Sequence, residues 1–409
     1  MRVVLTTHFE IQDEQMNVNA LEQVVAQAWR EFPSQAWNAI AAQIEAQAEH
    51  DHQGALKRKG RETRCLWTQA GLVKLQRQRY RHPAENKSFL LFDLRVGLER
   101  RQAGTQAAQM LFAQLAAMGP SYRAACDQLK LIWGEAPAVG TGWRWTQNQG
   151  AALEAAARDT RNAFCYDGEL PGAELAAKSF VALETDSTFV HAWREKGSHE
   201  VYLGVAYDGK ELHGKRRKLT GKIAVASTAG SNVFGLDFFL AAQARHNVCE
   251  ADTLLFLSDG ALALEGVRDE CFPHALHQLD HAHVVRRTRD AYGWDLLPAA
   301  ERTLKLIFAE RKHALFAKLE RDKLRHQQQA GAINELSAYL RNHWEWLFVV
   351  RRLRKAGRQL PPHVEGSGVI ERNIGVYIGQ RMKHRGMGWT KRGASNILRI
   401  RLELFLQAS

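Results

Sequence analysis

Three stretches of the chain carry an apolar run straight into an acid, a pattern that can gather carboxylates at one edge of a sheet. In Leu254-Leu255-Phe256-Leu257, followed by Ser258-Asp259-Gly260, a short apolar run breaks at glycine. This predicts a buried strand that delivers Asp259 to its C-terminal edge. After a helix-like stretch, the run His274 to Leu279 ends in Asp280, His281 and His283, so both acidic ends are expected to face one crevice of an open sheet. Upstream, Phe180 to Leu183 leads into Glu184-Thr185-Asp186 in the same way. Far downstream, Gly366-Ser367-Gly368 opens a helical segment with Glu371 in its first turns. Asp186, Asp259 and Glu371 around one crevice would suit Mg²⁺ or Mn²⁺, which prefer oxygen ligands. Two such ions ~3.5 to 4 Å apart activate an attacking oxygen and stabilise the leaving oxygen of a phosphodiester. A single strand-end Asp is more often a solvated cap, because strand ends and first helical turns favour acids anyway. Three in comparable settings are harder to dismiss.

The elements that must position these acids are legible in part. Two extended segments, Val201 to Tyr207 and Ile223 to Ser227, follow Asp186, with Asp208-Gly209 marking a turn between them. Residues 301 to 356 hold no Gly or Pro except Gly331 and are rich in helix formers, which predicts an all-helical block. At the N-terminal end, residues 15 to 50 have a helical pattern. Arg64 to Thr68 and Val73 to Arg81 then suggest a β-hairpin turning at Gly71, with basic and apolar residues alternating. Between 105 and 150, Ser121 to Leu129 and Val139 to Gln147 resemble a helix-turn-helix, which would present Arg144 and Gln147 to a major groove. A plain αα-hairpin packed through Trp143 and Trp145 fits the same residues, and both readings stay open here. Residues 151 to 178 form a linker, with Pro171-Gly172 as its boundary signal.

The order of Asp186, Asp259, Asp280-His281-Ala282-His283 and, beyond the helical block, Glu371 resembles the DDE transposases of bacterial insertion sequences. More narrowly it looks like the Mutator-like group, in which the second Asp is followed by Cys or Asp, two residues, then His. Asp280 and His283 match that spacing. The stretch from Gly366 to Arg401, with Arg381-Met382-Lys383 and Gly386-Met387-Gly388-Trp389, is similar to the group's segment around the catalytic Glu. The resemblance covers roughly residues 60 to 405. It implies an α/β fold, with a ribonuclease H-like catalytic core interrupted by an all-α insertion and a mainly helical N-terminal DNA-binding region. The expected divisions are 1–104 (helix and hairpin), 105–178 (helix-turn-helix and linker), 179–284 (first part of the core), 285–361 (insertion) and 362–409 (the part carrying Glu371). It also implies two Mg²⁺ or Mn²⁺ ions on Asp186, Asp259 and Glu371, with His283 and Asp280 beside them. DNA contacts are expected from Arg144, Gln147, Arg216, Arg217, Arg381, Lys383, Arg385 and Trp389. The implied partners are the element's terminal repeats and target DNA, handled by a dimer or higher oligomer.

Composition agrees. The net charge of +12 and isoelectric point near 9.6 fit a polyanionic partner, and basic clusters stand at 57–61, 215–218, 351–355 and 381–385. Five cysteines show no CxxC spacing, so neither a zinc site nor a disulfide framework is expected. The start lacks a secretory apolar run and no stretch is long and apolar enough to span a bilayer, so the expectation is a cytoplasmic, nucleoid-associated protein. His281-Ala282-His283 with Tyr292 also fits a single-strand nuclease using a tyrosine nucleophile, but such an enzyme needs no strand-end acids at 186 and 259. Two other classes remain: a DNA-binding relic that keeps the fold without cutting, and a host nuclease with the same core.

Overall fold

The computed structural model describes residues 3–6, 17–51, 56–82, 87–214, 216–362, 364, 368–384 and 386–407. By internal contact the chain divides into Met1–Gln149 and Gly150–Ser409.

In the first unit, α1 (Val18–Asp51) covers a sheet of β1 (Lys57–Thr68), β2 (Gly71–His82) and β3 (Lys87–Leu90). The expected hairpin is present, and Thr68 pairs with Gly71, whose φ of 110° is open to glycine without strain. Residues alternate along β2, so Val73 and Leu75 point into a core with Ala41 of α1 and with Phe92 of the short α2 (Leu91–Val96). Asn38 of α1 stitches helix to strand through the Lys74 carbonyl and the Gln76 amide. Next come α3 (Gln106–Met118), α4 (Tyr122–Trp133) and α5 (Val139–Asp167). Thr105 and Ser121 cap α3 and α4 through their hydroxyls, and Gly134, at φ 82°, ends α4. Phe112, Leu129 and Trp145 form the core of these helices.

The second unit is built on a five-stranded mixed sheet in the order β10-β9-β4-β5-β8. Its strands are β4 (Val181–His191), β5 (Ser198–Tyr207), β8 (Ile223–Ser227), β9 (Leu254–Ser258) and β10 (Leu276–Leu279). β4, β5 and β8 are antiparallel, whereas β9 and β10 run parallel to β4. Between β5 and β8 the chain makes a separate hairpin of β6 (Gly209–His213) and β7 (Arg216–Thr220), where the sequence suggested only a turn. Val181 and Leu183 of β4 face α6 (Ser231–His246) and α7 (Leu262–Cys271) through Phe234, Phe238 and Val267. The period of two then turns Glu184 and Asp186 to the opposite face.

The helical block begins with α8 (His281–Tyr292), directly at the end of β10. It continues through α9 (Leu297–Phe308), α10 (Lys312–Arg325), α11 (Ala330–His343) and α12 (Val349–Lys355) around its own core of Leu304, Leu315, Leu340 and Trp344. α13 (Gly368–Asn373) passes through a π-helical stretch, Ile374–Gly379, into α14 (Gln380–Met382), and α15 (Lys391–Gln407) packs against β8.

Candidate active site

Register places the acids. β4 pairs with β9 from Val181 with Leu254 to Glu184 with Leu257, and two residues further on the same alignment sets Asp186 beside Asp259. β10 pairs with β9 up to Leu279 with Ser258, and one residue further sets Asp280 beside Asp259. The three Asp residues therefore stand level on three neighbouring parallel strands. Asp186 was expected to end its strand, but β4 continues to His191 because β5 pairs with it over that whole length. Only the parallel neighbour β9 stops, and this opens the crevice at Asp186.

Asp186, Asp259 and His283 each bring a ligand atom within 4.8 Å of the others. His283 Nε2 lies 3.9 Å from Asp186 Oδ2, and its Nδ1 is hydrogen-bonded to Asp280 Oδ2. Asp280 also caps α8, its Oδ1 accepting from the Ala282 amide at 2.9 Å. One buried carboxylate thus starts the helix and aims the imidazole that the helix carries. Asp259 Oδ1 accepts from the Ala261 amide at 2.9 Å, and its Oδ2 faces Arg287 Nη2 at 3.7 Å. The Tyr339 hydroxyl, in the helical block, donates to the Asp259 carbonyl at 2.8 Å.

The electrostatics suit a site for positive charge. Burial pushes the Asp186 carboxyl up to about 6, with His283 pulling the other way. Burial opposes the charge on His283, but the Asp280 hydrogen bond and the charges of Asp280 and Asp186 outweigh it and raise its pKa. A cation among these groups would stabilise the ionised carboxylates. Two carboxylates and one imidazole are a donor set that divalent ions accept.

Glu371 stands outside this cluster. It lies exposed in the first turn of α13, and the neighbouring Ile370 amide donates at 3.0 Å to Glu184 Oε2. Glu184 is fully buried, accepts a hydrogen bond from Tyr207 at 2.5 Å, and is pushed by burial up to about 7. The helix carrying Glu371 therefore rests on a residue two positions from Asp186.

The expected DNA contacts divide. Arg144 is exposed on α5, but Gln147, 5% exposed, is turned inward to the Tyr122 hydroxyl, so that face of α5 is packed. Arg381 is buried over the ring of Trp389. Trp389 is itself 7% exposed, bonded through Nε1 to the Met382 carbonyl, and paired by its backbone with His191 and Trp193. Enclosed in this way, Trp389 has no open face for a base. Lys383 is exposed and reaches Thr188 Oγ1 on β4. The side chains of Arg216 and Arg217, and the whole of Arg385, lie outside the described residues. Tyr292 is buried among Thr303 and Asp322, and burial raises its pKa well above the usual phenol range, which disfavours a nucleophile.

Sequence reasoning missed Glu184, Tyr339 and the exposed Arg286 and Arg287 on α8. The two arginines follow His283 by three and four positions, so they share its helix face, and that spacing was the available signal.

The fold and the site define a mixed α/β protein with an acid-and-histidine crevice at the C-terminal edge of its parallel strands. The chain belongs to the family described as Uncharacterised protein family (UPF0236), which it matches over residues 11–405. No curated protein compared with it matches. Among solved structures, a chain of the Drosophila P element transposase strand transfer complex is similar at 11% identity. The match covers 78% of this chain and 83% of that one with a TM-score of 0.25, an overlap too slight to define a shared fold.

Proposed function

We propose that the protein is a transposase of the DDE kind, Mutator-like in its motif order, that cuts and joins DNA at the ends of an insertion sequence. The observation that carries this reading is the level placement of Asp186 and Asp259 on adjacent parallel strands, with His283 beside them. Three antiparallel strands followed by two parallel to the first, with a helical block ahead of the segment bearing Glu371, fit the ribonuclease H-like core of that class. The charge of +12 fits a nucleic-acid partner.

In this reading Asp186 and Asp259 would hold Mg²⁺ or Mn²⁺, with Glu371, which lies outside their cluster here, as the third acid that the motif order assigns. When bound, the ions supply activation of the attacking oxygen and stabilisation of the leaving oxygen in an in-line displacement. Asp186 and Asp259 place negative charge where the ions collect, and Asp280 orients His283. Arg286, Arg287 and Lys383, exposed around the crevice, offer positive charge to the DNA backbone. Water attacks first, displacing a 3′-oxygen from phosphorus. The freed 3′-hydroxyl then attacks a target phosphodiester, and one P–O bond forms as another breaks at each stage. Cutting two ends in concert requires at least a dimer on DNA.

The test is cleavage and strand transfer of DNA flanking the coding sequence, with Mg²⁺ or Mn²⁺, for the natural protein, Asp259→Asn and Glu371→Ala. Both variants should lose roughly 10²- to 10³-fold in rate, as expected on removing a group that stabilises developing charge. A Glu371→Ala protein that cuts normally removes Glu371 from the site. If the natural protein binds the ends but never cuts, the DNA-binding relic is the better reading, and cutting of structured or hybrid substrates without regard to ends points to a different nuclease.

A further inference from the structure

We propose that His283 is itself a ligand of the site's cation, making the centre a mixed nitrogen–oxygen site that favours Mn²⁺ over Mg²⁺. This rests on the reading above in which Asp186 and Asp259 bind the cation. Asp280 uses Oδ1 for the Ala282 amide and Oδ2 for the imidazole. An ionised carboxylate only accepts, so His283 Nδ1 carries the hydrogen toward Asp280, and Nε2, 3.9 Å from Asp186 Oδ2, is the nitrogen left to a cation, which would displace any proton held there. A histidine that ligates a metal usually donates its other nitrogen to a carboxylate in this manner.

The spacing also fits. Ligand atoms about 2.1 Å from an octahedral ion lie roughly 3 Å apart when adjacent and ~4.2 Å apart when opposed. The 3.9 Å between Nε2 and Asp186 Oδ2 lies near the larger of these, and the three ligand atoms stand within 4.8 Å of one another, so small side-chain shifts would close the set around one ion. His283 is 4% exposed, so its ring is already held and stripped of most water before any ion arrives. The carboxylate of Glu371, the acid expected to complete the set, is not in the cluster, whereas the imidazole is. Mn²⁺ shares the preference of Mg²⁺ for oxygen, but as a transition ion it accepts a nitrogen ligand more readily, whereas Mg²⁺ demands near-ideal oxygen octahedra and keeps its waters.

The experiment adds Mn²⁺ alone to the purified full-length protein and follows it by electron paramagnetic resonance with spin-echo envelope modulation, without DNA or turnover. The natural protein should bind Mn²⁺ with nitrogen modulation from a ring nitrogen, and His283→Gln should lose that modulation. Asp280→Asn keeps a good helix cap but turns an amide N–H toward Nδ1, which drives the imidazole proton onto Nε2. Its Mn²⁺ affinity should fall about 10- to 100-fold while its helical circular dichroism stays near that of the natural protein, which separates loss of the ion from loss of the fold. Competition with Mg²⁺ should show the preference for Mn²⁺ shrinking in His283→Gln. Mn²⁺ binding that is lost in Asp186→Asn but shows no nitrogen modulation in the natural protein overturns the ligand role of His283 and leaves the two-acid reading standing. Modulation that persists in His283→Gln overturns it as well. Mn²⁺ binding indifferent to Asp186→Asn, or no binding at all, overturns both.

Discussion

Asp237→Asn should be among the most destabilising single changes in the second unit. Asp237, on α6 and 7% exposed, accepts from Arg161 Nη1 of α5 and from Arg399 Nη2 of α15, each at 2.5 Å. Glu154 joins both guanidiniums, at 3.2 Å to Arg161 and 2.7 Å to Arg399. The group is neutral as it stands, with two cations and two anions clamping three helices. Burial opposes the charge on Arg399, but Asp237 and Glu154 more than offset this and hold its pKa above the ordinary range. An amide at 237 leaves one positive charge uncompensated among largely buried groups. Removing one partner of a buried pair costs about 3–5 kcal/mol. Glu154 remains and its side chain is 33% exposed, so solvent screening places the expected loss at the lower end, ~3 kcal/mol. At about 2–4 °C per kcal/mol for a unit of this size, the melting temperature should drop by roughly 6–12 °C. Urea unfolding followed by circular dichroism measures the free energy, and calorimetry the temperature. As a control, replacing all four charged members, Asp237, Glu154, Arg161 and Arg399, with apolar residues of similar volume should recover much of the loss, because well-packed apolar residues often match a buried ionic cluster. A loss below about 1 kcal/mol for Asp237→Asn would refute the reasoning, since that is the worth of a solvated surface pair.

Gly142→Ala should destabilise the first unit by about 1–3 kcal/mol or more, because a Cβ there would sit 2.0 Å from Phe112 Cζ; thermal unfolding of the variant checks it. His277, hydrogen-bonded to Ser258 and Arg268, has its pKa pushed down to about 3 by burial and by the Arg268 charge. The unfolded chain takes up this proton near pH 6.5 and the folded one only near pH 3, so stability is lost as pH falls through that window. At pH 5 the loss is roughly 2 kcal/mol, and the difference in acid-unfolding slope between the natural protein and His277→Gln measures it. In the cation reading, Mn²⁺ at a hundred times its dissociation constant should stabilise the protein by about 2.7 kcal/mol, seen as a rise in melting temperature that chelator reverses and Asp186→Asn abolishes. An equal rise in that variant would place the ion elsewhere.

Local sequence carries far in this chain, but unevenly. Strands ending near Tyr207, Ser227, Asp259 and Asp280 were legible because each is an apolar run broken at a turn or an acid. The helix of residues 15–50 and the hairpin beyond it were legible from their periods. The hairpin of β6 and β7 was not, since its strands are basic and weakly apolar and none of their described side chains is buried to impose a pattern. Nor were the breaks within the helical block, where Glu310 takes a φ of 57° with no Gly or Pro to announce it.

The sequence by itself determined which acids follow buried runs: each of Asp186, Asp259 and Asp280 comes after a stretch apolar enough to be buried, a property of a few consecutive residues. Only the tertiary structure decided which of them meet. Pairing register between strands far apart in sequence sets the three Asp residues level, and the helix that Asp280 caps brings His283 beside Asp186. The same holds for Gln147, Arg381 and Trp389, whose types suit DNA but whose side chains the core encloses. A side chain's type is written locally, whereas its neighbours follow from hydrogen-bond register and packing across the whole unit, which no short stretch of chain encodes.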